Sequence, residues 1–310
     1  MSTAAETRAR ALLARATPRT LALPDRGVDI ALLDWEGDGP LVLLHHANGF
    51  CKGIWALVAE DLSRDFRVVS MDARGHGDSS HPADLAAYRE STLAADVIAV
   101  AERLAAQHGA PVALGIGHSL GGAMMLRAAA HRVDLFSRLL LVDPVIGVHE
   151  PEHSSEHPSA TQRLVAGARK RRTHWPSRAA ARAWCRERSF FSAWREEAIE
   201  LYLLDGMAEA PDGSVTLKCP SAVEAEVFAN VGTSDNFALG ADVRAPTLIL
   251  WAARGDFSRP RMEAVALTMA EAHVEPIDSG HLVPMENPEL VSEAARRMLA
   301  VAQPAAVHRR

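Results

Sequence analysis

A serine nucleophile is the first chemistry that the sequence suggests, because Ser119 lies at the centre of residues 117–121, GHSLG. This segment matches the Gly-x-Ser-x-Gly pattern, in which a sharp turn from a strand into a helix exposes the serine hydroxyl. Glycine on both sides lets the backbone pass where any side chain would collide. The apolar run VALGI directly precedes the motif, and the apolar run AMMLRAAA follows it. The pattern therefore predicts that Ser119 is a nucleophile.

The base for this nucleophile is expected at His281, because a serine hydroxyl needs a base within hydrogen-bonding reach. His281 follows the last predicted strand and comes directly after Gly280. Since the carboxyl ends of parallel strands meet at one edge of a sheet, His281 should lie beside Ser119. His118 also adjoins Ser119 in the sequence, but across the turn its ring is expected to point away from the hydroxyl. We therefore assign His118 a packing role.

An acid is needed to orient the histidine and to stabilise its protonated ring. Asp143 and Asp256 each follow a predicted strand and lie between Ser119 and His281 in the chain. The chain order of serine, aspartate and histidine fits both of them. We favour Asp256, because it follows the strand that precedes the histidine's own strand, and we keep Asp143 as the alternative.

A tetrahedral intermediate at this site would need two N–H donors for its oxyanion. Leu120, directly after the nucleophile, is expected to supply one of them. The second should come from the loop at residues 45–50, HHANGF, because its small residues and its glycine allow the backbone to approach a substrate closely. His46 in this loop is interpreted as an anchor of the loop rather than as a base.

The elements that must position these residues form an alternating pattern of short buried runs and longer helical stretches. Such alternation predicts an α/β fold in which helices cover both faces of a mostly parallel sheet. The turn sequence PDRG between two strand-like runs predicts a β-hairpin at residues 21–33. The predicted strands of the sheet are Leu41–His45, Phe66–Met71, Val112–Ile116, Leu139–Val142, Thr247–Trp251 and Ala272–Ile277, and the predicted helices are Ile54–Leu62, Thr92–Ala106, Gly121–His131 and Pro288–Val301.

The alternation stops between residues 145 and 245, where helical patterns follow one another. We therefore predict a core domain made of residues 1–144 and 246–310, with a helical cap, or lid, at residues 145–245 inserted between two core strands. Within this insert, the basic run RKRR at residues 169–172 is interpreted as a solvated helix face. Binding of an anionic substrate group is the alternative interpretation of that run.

Taken together, the motifs resemble those of the α/β-hydrolase family over residues from about 20 to 302. Four segments carry the resemblance, namely GHSLGG at 117–122, HANGF at 46–50, DARGHGDS at 72–79 and GHLVPMENPE at 280–289. The resemblance implies a serine hydrolase of the esterase branch with a helical lid and with no cofactor or metal. It supports Asp256 as the acid and His281 as the base, and it assigns the second oxyanion donor to Asn48.

The sequence departs from the usual family pattern at two positions. The family usually has His-Gly where this chain has His46 and Ala47, and it usually places the acid at the position held here by Gly255. The second departure keeps Asp143 open beside Asp256. Serine at position 119 also argues against the alkyl-enzyme mechanism of epoxide hydrolases and haloalkane dehalogenases, which resemble this family but have aspartate there.

Aromatic residues indicate an apolar pocket, which is usual for sites that bind small molecules. Three of these residues are expected to contact the substrate, namely Phe50 beside the oxyanion loop and Phe191 and Trp194 in the insert. The leading hypothesis is a carboxylesterase that cleaves a small acyl ester through an acyl-enzyme. The same triad would serve a lactonase, a thioesterase or a C–C bond hydrolase. A non-catalytic ligand receptor of the same fold is the alternative from another class.

Composition argues against several other classes of protein. The 310-residue chain carries a net charge of −6, which gives no electrostatic reason to expect nucleic-acid binding. Because it has no apolar run of about 18 residues and no apolar leader, we expect neither a membrane span nor secretion. Three widely spaced cysteines argue against a disulfide framework and favour a reducing cytoplasm. The sequence leaves open whether the chain forms a homo-oligomer.

Overall fold

The structure is a computed structural model that describes residues 3–146, 159–230 and 236–300. The strands are β1 Thr17–Leu23, β2 Val28–Trp35, β3 Leu41–His45, β4 Arg67–Met71, β5 Leu114–His118, β6 Leu139–Val142, β7 His174–Trp175, β8 Met207–Glu209, β9 Val215–Leu217, β10 Thr247–Ala252 and β11 Ala272–Ile277. The α-helices are α1 Ala4–Leu13, α2 Ala56–Leu62, α3 Glu90–His108, α4 Leu120–His131, α5 Ala160–Lys170, α6 Arg178–Arg186, α7 Glu196–Asp205, α8 Ser221–Asn230, α9 Asn236–Gly240, α10 Arg259–Ala266, α11 Val283–Glu286 and α12 Pro288–Ala300. Short 3₁₀ turns lie at Pro24–Arg26, Lys52–Trp55, Leu85–Tyr88 and Ser189–Phe191.

The main sheet has eight strands in the order β1-β2-β4-β3-β5-β6-β10-β11. The first two strands form the predicted antiparallel hairpin, and β2 also pairs antiparallel with β4. From β4 to β11 every neighbouring pair is parallel. This topology confirms the predicted α/β class with a mostly parallel sheet. It also brings the carboxyl ends of β3, β5, β6 and β10 to one edge, which is where sites form in such sheets.

The central strands are buried on both faces, as is usual for parallel strands covered by helices. Every residue of β3, β5 and β6 is buried. Side chains alternate between two apolar clusters, because successive residues of a strand point to opposite faces. Val42 and Leu44 belong to one cluster, and Leu41 and Leu43 belong to the other. Each such leucine contributes about 2 kcal/mol of burial free energy, so the site edge rests on a rigid base.

Strand β5 begins two residues later than its apolar run predicts. The sequence predicts Val112–Ile116, whereas the strand covers Leu114–His118. Val112 forms only an isolated bridge with Phe136. The strand instead continues through Gly117, which pairs with β3, and His118, which pairs with β6, and it ends directly before Ser119. The shift brings Ser119 to the end of the strand itself.

The segment between β6 and β10, residues 145–245, is called the inserted segment here. Its described part contains the predicted helices as α5, α6 and α7, followed by α8 and α9. Besides the predicted helices, it contains a three-stranded antiparallel sheet in the order β7-β9-β8, which the sequence did not predict. Strands of two or three residues are too short to give a periodic signal. Residues 147–158 and 231–235 of the insert lie outside the described residues.

Helix α1 joins the inserted segment to the rest of the fold. Thr3 caps the helix by accepting a hydrogen bond from the Glu6 N–H, and Ala9 and Leu12 are buried. Glu6 forms an ion pair with Arg182 of α6, which also pairs with Glu200 of α7. Among the helices that the structure describes, none is both long and apolar enough to cross a bilayer.

Candidate active site

Ser119 occupies a sharp turn between β5 and α4. Its backbone has φ +53° and ψ −114°, a conformation that costs a non-glycine residue about 1–3 kcal/mol. The Ser119 N–H donates to the Val142 carbonyl at 3.0 Å and holds the turn against β6. A Cβ at Gly117 would overlap the carbonyl oxygen of Gly121, and a Cβ at Gly121 would overlap that of His45. The two glycines of the motif are therefore required by close backbone packing.

The hydroxyl of Ser119 lies within hydrogen-bonding distance of His281. The Ser119 Oγ and His281 Nε2 atoms are 3.1 Å apart. On the other side of the ring, His281 Nδ1 lies 2.6 Å from Asp143 Oδ2. An Nδ1–H that donates to this carboxylate leaves Nε2 free to accept the serine proton. The structure therefore brings together the predicted nucleophile and the predicted base in the geometry that proton transfer needs.

Asp143, rather than Asp256, is the carboxylate that contacts His281. Asp143 follows β6, is fully buried and has φ +40°. Its Oδ1 accepts a hydrogen bond from the Ala252 N–H at 3.1 Å, which fixes the carboxylate from the side of β10. Asp256 lies exposed in the turn after β10. The preference for Asp256 is therefore wrong as to geometry, and the alternative Asp143 takes its place.

The sheet order explains this correction. Strand β6 lies between β5 and β10, so a residue that ends β6 is directly beside the strand that carries Ser119. At Gly255, the position to which the resemblance assigns the acid, a Cβ would lie only 2.9 Å from Asp143 Oδ2. The absence of a side chain at Gly255 thus leaves space for the Asp143 carboxylate.

Three neighbouring side chains hold the loop that carries His281. His118 donates from Nε2 to the His281 carbonyl at 2.8 Å, so its role goes beyond the predicted packing. The ring of Phe257 meets the His281 ring edge to face, with centroids 5.3 Å apart. Glu286 accepts a hydrogen bond from the Gly280 N–H at 2.8 Å. A signal for Glu286 was present, because it lies in the GHLVPMENPE segment.

The loop of residues 46–50 is fixed by two buried, neutral histidines. His46 Nε2 accepts a hydrogen bond from the Ala73 N–H at 3.0 Å, which confirms that His46 anchors the loop. His76 Nε2 accepts from the Gly49 N–H at 3.0 Å, while Gly49 has φ +80°. Burial lowers the pKa of His46 and His76, so both rings can act as acceptors.

The two predicted oxyanion donors lie in elements that suit this role. Leu120 is the first residue of α4, where the N–H groups lack partners within the helix. Asn48 lies in the loop after β3, and its side-chain amide donates to the Glu224 carbonyl at 3.0 Å. Its side chain is therefore engaged by the insert, which leaves the backbone N–H as the group to consider. Both assignments stay predictions.

The three predicted substrate-contacting aromatics lie together. The Phe50 and Trp194 ring centroids are 5.6 Å apart, and those of Phe191 and Trp194 are 4.9 Å apart. Tyr202, which was not predicted to contact the substrate, completes the cluster at 5.7 Å from Phe50 and 6.0 Å from Trp194. All four rings are almost fully buried. They form an apolar body on the side of the loop that follows β3, and their contact with substrate stays a prediction.

The interpretation of residues 169–172 as a solvated helix face is wrong for Arg171, whose side chain points inward. Arg169, Lys170 and Arg172 are exposed, but the Arg171 side chain is only 19% exposed. Its Nη1 donates to both carboxylate oxygens of Glu224 at 2.7 Å. The residue follows the last turn of α5, and the turn away from the helix aims its side chain inward.

Because His118 is buried, the free energy of unfolding is expected to depend on pH. Burial lowers the pKa of His118 to about 3, whereas a histidine in the unfolded chain titrates near pH 6.5. Below about pH 6.5, His118 is protonated in the unfolded state but stays neutral in the folded state. The free energy of unfolding therefore falls as the pH drops below about 6.5. Between pH 7.5 and 5.5 this histidine should lower the free energy of unfolding by about 1.4 kcal/mol.

The measurement is urea unfolding of the wild type and of His118→Gln at these two pH values. Glutamine keeps an N–H donor and cannot titrate, so the variant should lose about 1.4 kcal/mol less than the wild type. His45 and His76, whose pKa values burial lowers to about 4, contribute to the fall in both proteins. Equal losses in the two proteins would contradict the prediction.

Comparison with known proteins gives a family and several relatives. A family model described as the alpha/beta hydrolase family matches residues 41–294. Protein phosphatase methylesterase 1 of Mus musculus is 39% identical over 115 residues, which are 36% of this chain and 29% of that protein. Pimeloyl-[acyl-carrier protein] methyl ester esterase of Vibrio vulnificus (strain YJ016) is 32% identical over 112 residues, which are 36% of this chain and 40% of that protein. The matches thus span less than half of either relative.

A solved structure matches over nearly the whole chain. The crystal structure of E-2-(acetamidomethylene)succinate hydrolase aligns with a TM-score of 0.75 and covers 92% of this chain and 99% of that one. The two sequences are 23% identical over the alignment. At this level of identity the similarity concerns the fold.

Proposed function

Because this chain belongs to the alpha/beta hydrolase family, we propose that it is a serine hydrolase that cleaves a small-molecule carboxylic ester through an acyl-enzyme. The observation that carries the proposal is the continuous relay from the Ser119 hydroxyl through His281 to Asp143, with distances of 3.1 and 2.6 Å. A relay of this kind makes an alcohol oxygen nucleophilic. The assignment of Asp143 as its acid is part of the proposal.

In the first half of the reaction, Ser119 Oγ attacks the ester carbonyl carbon while His281 Nε2 takes the hydroxyl proton. The ring then carries a positive charge, which the buried Asp143 carboxylate stabilises at Nδ1. When the tetrahedral intermediate collapses, the C–O bond to the alcohol breaks and His281 returns the proton to the leaving oxygen. The acyl group remains on Ser119.

In the second half, water replaces the alcohol. His281 takes a proton from the water molecule as its oxygen attacks the acyl carbon, and the proton then goes to Ser119 Oγ as the acid leaves. In both halves the negative oxygen of the intermediate is held by the N–H groups of Leu120 and Asn48. A missing donor of this type typically costs about 10²–10³ in kcat.

The substrate class is supported by the chain's relatives and by the cluster of aromatic rings. Both curated relatives are named as enzymes that cleave methyl esters. Phe50, Phe191 and Trp194 form an apolar cluster beside the loop that follows β3, and apolar surroundings suit an apolar acyl or alcohol group. We propose that the inserted segment acts as the cap over the catalytic residues.

Location in a reducing compartment is also part of the proposal. Cys51, Cys185 and Cys219 are buried and unpaired. Burial raises the pKa of Cys185 to about 11 and also raises the pKa of Cys51 and of Cys219 well above the usual value for a thiol. Such thiols are structural and unreactive, and their use without disulfides favours the cytoplasm.

The test of the proposed function is covalent labelling by a fluorophosphonate probe. The wild type should gain one adduct, and mass spectrometry of a digest should place it on Ser119. Ser119→Ala should gain none, since the probe needs the activated hydroxyl. A folded wild type that takes up no adduct and hydrolyses no p-nitrophenyl ester would overturn the proposal in favour of a ligand receptor. Cleavage of thioesters or lactones with no ester turnover would overturn the ester assignment alone.

A further inference from the structure

Three polar side chains of the inserted segment pack against the loop of residues 47–50. Arg171 follows α5, Tyr202 lies on α7 and Glu224 lies on α8. The guanidinium joins the other two, because Nη1 contacts both Glu224 carboxylate oxygens at 2.7 Å and Nη2 donates to the Tyr202 hydroxyl at 2.5 Å. Three helices of the insert therefore meet at one cation.

This polar group lies directly against the backbone of Gly49. A Cβ at Gly49 would lie 2.7 Å from Glu224 Oε1 and 2.9 Å from Arg171 Nη1. The ion pair therefore fills the space in which a side chain would stand. Because Gly49 also has φ +80° and donates to His76 Nε2, the loop is held between the core on one side and the insert on the other.

A second contact ties the same loop to the same helix. The Asn48 side-chain amide donates to the Glu224 main-chain carbonyl at 3.0 Å. The Arg171 to Glu224 pair fixes helix α8 at this point, and the amide transmits its position to residue 48. Tyr202 reaches the loop from a third direction, since its ring meets Phe50 edge to face at 5.7 Å.

The position of this loop matters for chemistry because oxyanion donors act only at short range. A donor must lie about 2.7–3.1 Å from the developing oxyanion, and a misplacement of about 1 Å can cost a factor of 10² in rate. A backbone N–H in such a loop needs support from its surroundings to reach that precision. In the core, part of this support comes from His46 and His76 and from the Phe50 N–H, which donates to the Ala47 carbonyl at 3.2 Å.

We infer that Arg171 and Glu224 are positioning residues for the reaction, and that they set the backbone N–H of residue 48 for the oxyanion by clamping the loop of residues 47–50. The inference rests on the proposed function. Through the clamp, the inserted segment contributes to catalysis as well as covering the catalytic residues. The two side chains act through the loop and do not touch the reacting atoms.

A direct role for Arg171 in binding an anionic substrate is the competing explanation. The contacts disfavour it, because both oxygens of Glu224 face the same Nη1 and balance the charge locally. The Glu224 side chain is itself only 9% exposed. An arginine engaged in this way is a structural anchor more than a free anion site.

The experiment compares Arg171→Met with Arg172→Met, its exposed neighbour. Rates of p-nitrophenyl butyrate hydrolysis are divided by the number of serines that a fluorophosphonate labels at completion, so that unfolded protein does not count. Arg171→Met should lower kcat about 10- to 100-fold with KM within about twofold, because only transition-state stabilisation is lost. Affinity for phenylboronic acid, which forms a tetrahedral adduct at the serine, should fall by the same factor. Arg172→Met should match the wild type in all three readouts.

Asn48→Asp tests the same clamp without touching the ion pair. It places a carboxylate oxygen against the Glu224 carbonyl in place of the amide donor, and a similar loss in kcat with little change in KM is expected. If both variants keep the wild-type kcat in an active enzyme, the clamp is overturned while the proposed function stands. A rise in KM for anionic esters alone would overturn the clamp in favour of an anion site. An inactive, unlabelled wild type would overturn the proposed function first.

Discussion

Asparagine in place of Asp143 is expected to lower kcat about 10⁴-fold, with KM changed by less than about threefold. Asp143 Oδ1 accepts a hydrogen bond from the Ala252 N–H, and Oδ2 accepts one from His281. In the variant, the Ala252 N–H should hold the amide oxygen, which turns the NH₂ group toward the histidine. Nδ1 must then accept a hydrogen bond, so the ring proton moves to Nε2. A ring in that tautomer cannot take the proton of Ser119.

The control for this experiment is Asp256→Asn, which makes the same chemical change at the exposed aspartate. Its kcat should stay within about twofold of the wild type, as is usual for surface substitutions. Steady-state hydrolysis of p-nitrophenyl acetate measures both variants, and circular dichroism shows whether each is folded. If Asp256→Asn instead lowers kcat more than Asp143→Asn does, the acid would be Asp256 in the turn after β10.

Alanine at Ser119 and alanine at His281 are each expected to lower kcat about 10⁶-fold. The serine supplies the attacking oxygen, and the histidine at 3.1 Å carries the proton away from it. Neither group accelerates the reaction without the other, so the losses in kcat from the two substitutions should not add. The variant that carries both substitutions should therefore be no slower than either single variant, within about threefold.

The measurement for this pair is single-turnover hydrolysis at high enzyme concentration, where residual rates can be followed. Catalysis left over in the double variant reports binding and the oxyanion donors alone. A further loss of two or more orders of magnitude in the double variant would mean that the two residues act separately. The relay on which the proposed function rests would then be wrong.

The fold and the approach of Ser119 to His281 were predictable because their signals are local. Ser119 lies between two glycines that close backbone packing requires. A side chain at Gly117 would overlap the Gly121 carbonyl, and one at Gly121 would overlap the His45 carbonyl. His281 follows a strand, and every parallel strand delivers its end to the same edge of the sheet. The alternation of buried strands and helices is enough to predict that sheet. Its central strands β3 and β6 and the strand β11 have the bounds that the sequence predicts.

The carboxylate that contacts His281 was not predictable in the same way, because chain order is a poor guide to neighbours in the sheet. Asp143 and Asp256 both follow strands, and only the order β5-β6-β10 shows which end lies beside Ser119. The inserted segment was harder still. Whether Arg171 faces water or Glu224 depends on how the chain leaves α5, and a run of four basic residues gives no sign of that turn.

Gly255 bears on where this fold can carry an acid beside His281. A Cβ at this position would lie 2.9 Å from Asp143 Oδ2, so an aspartate there would crowd the Asp143 carboxylate and bring a second negative charge close to it. Carboxylates held close together raise each other's pKa. Acids at both positions would therefore work against the ionised carboxylate that the proposed relay needs.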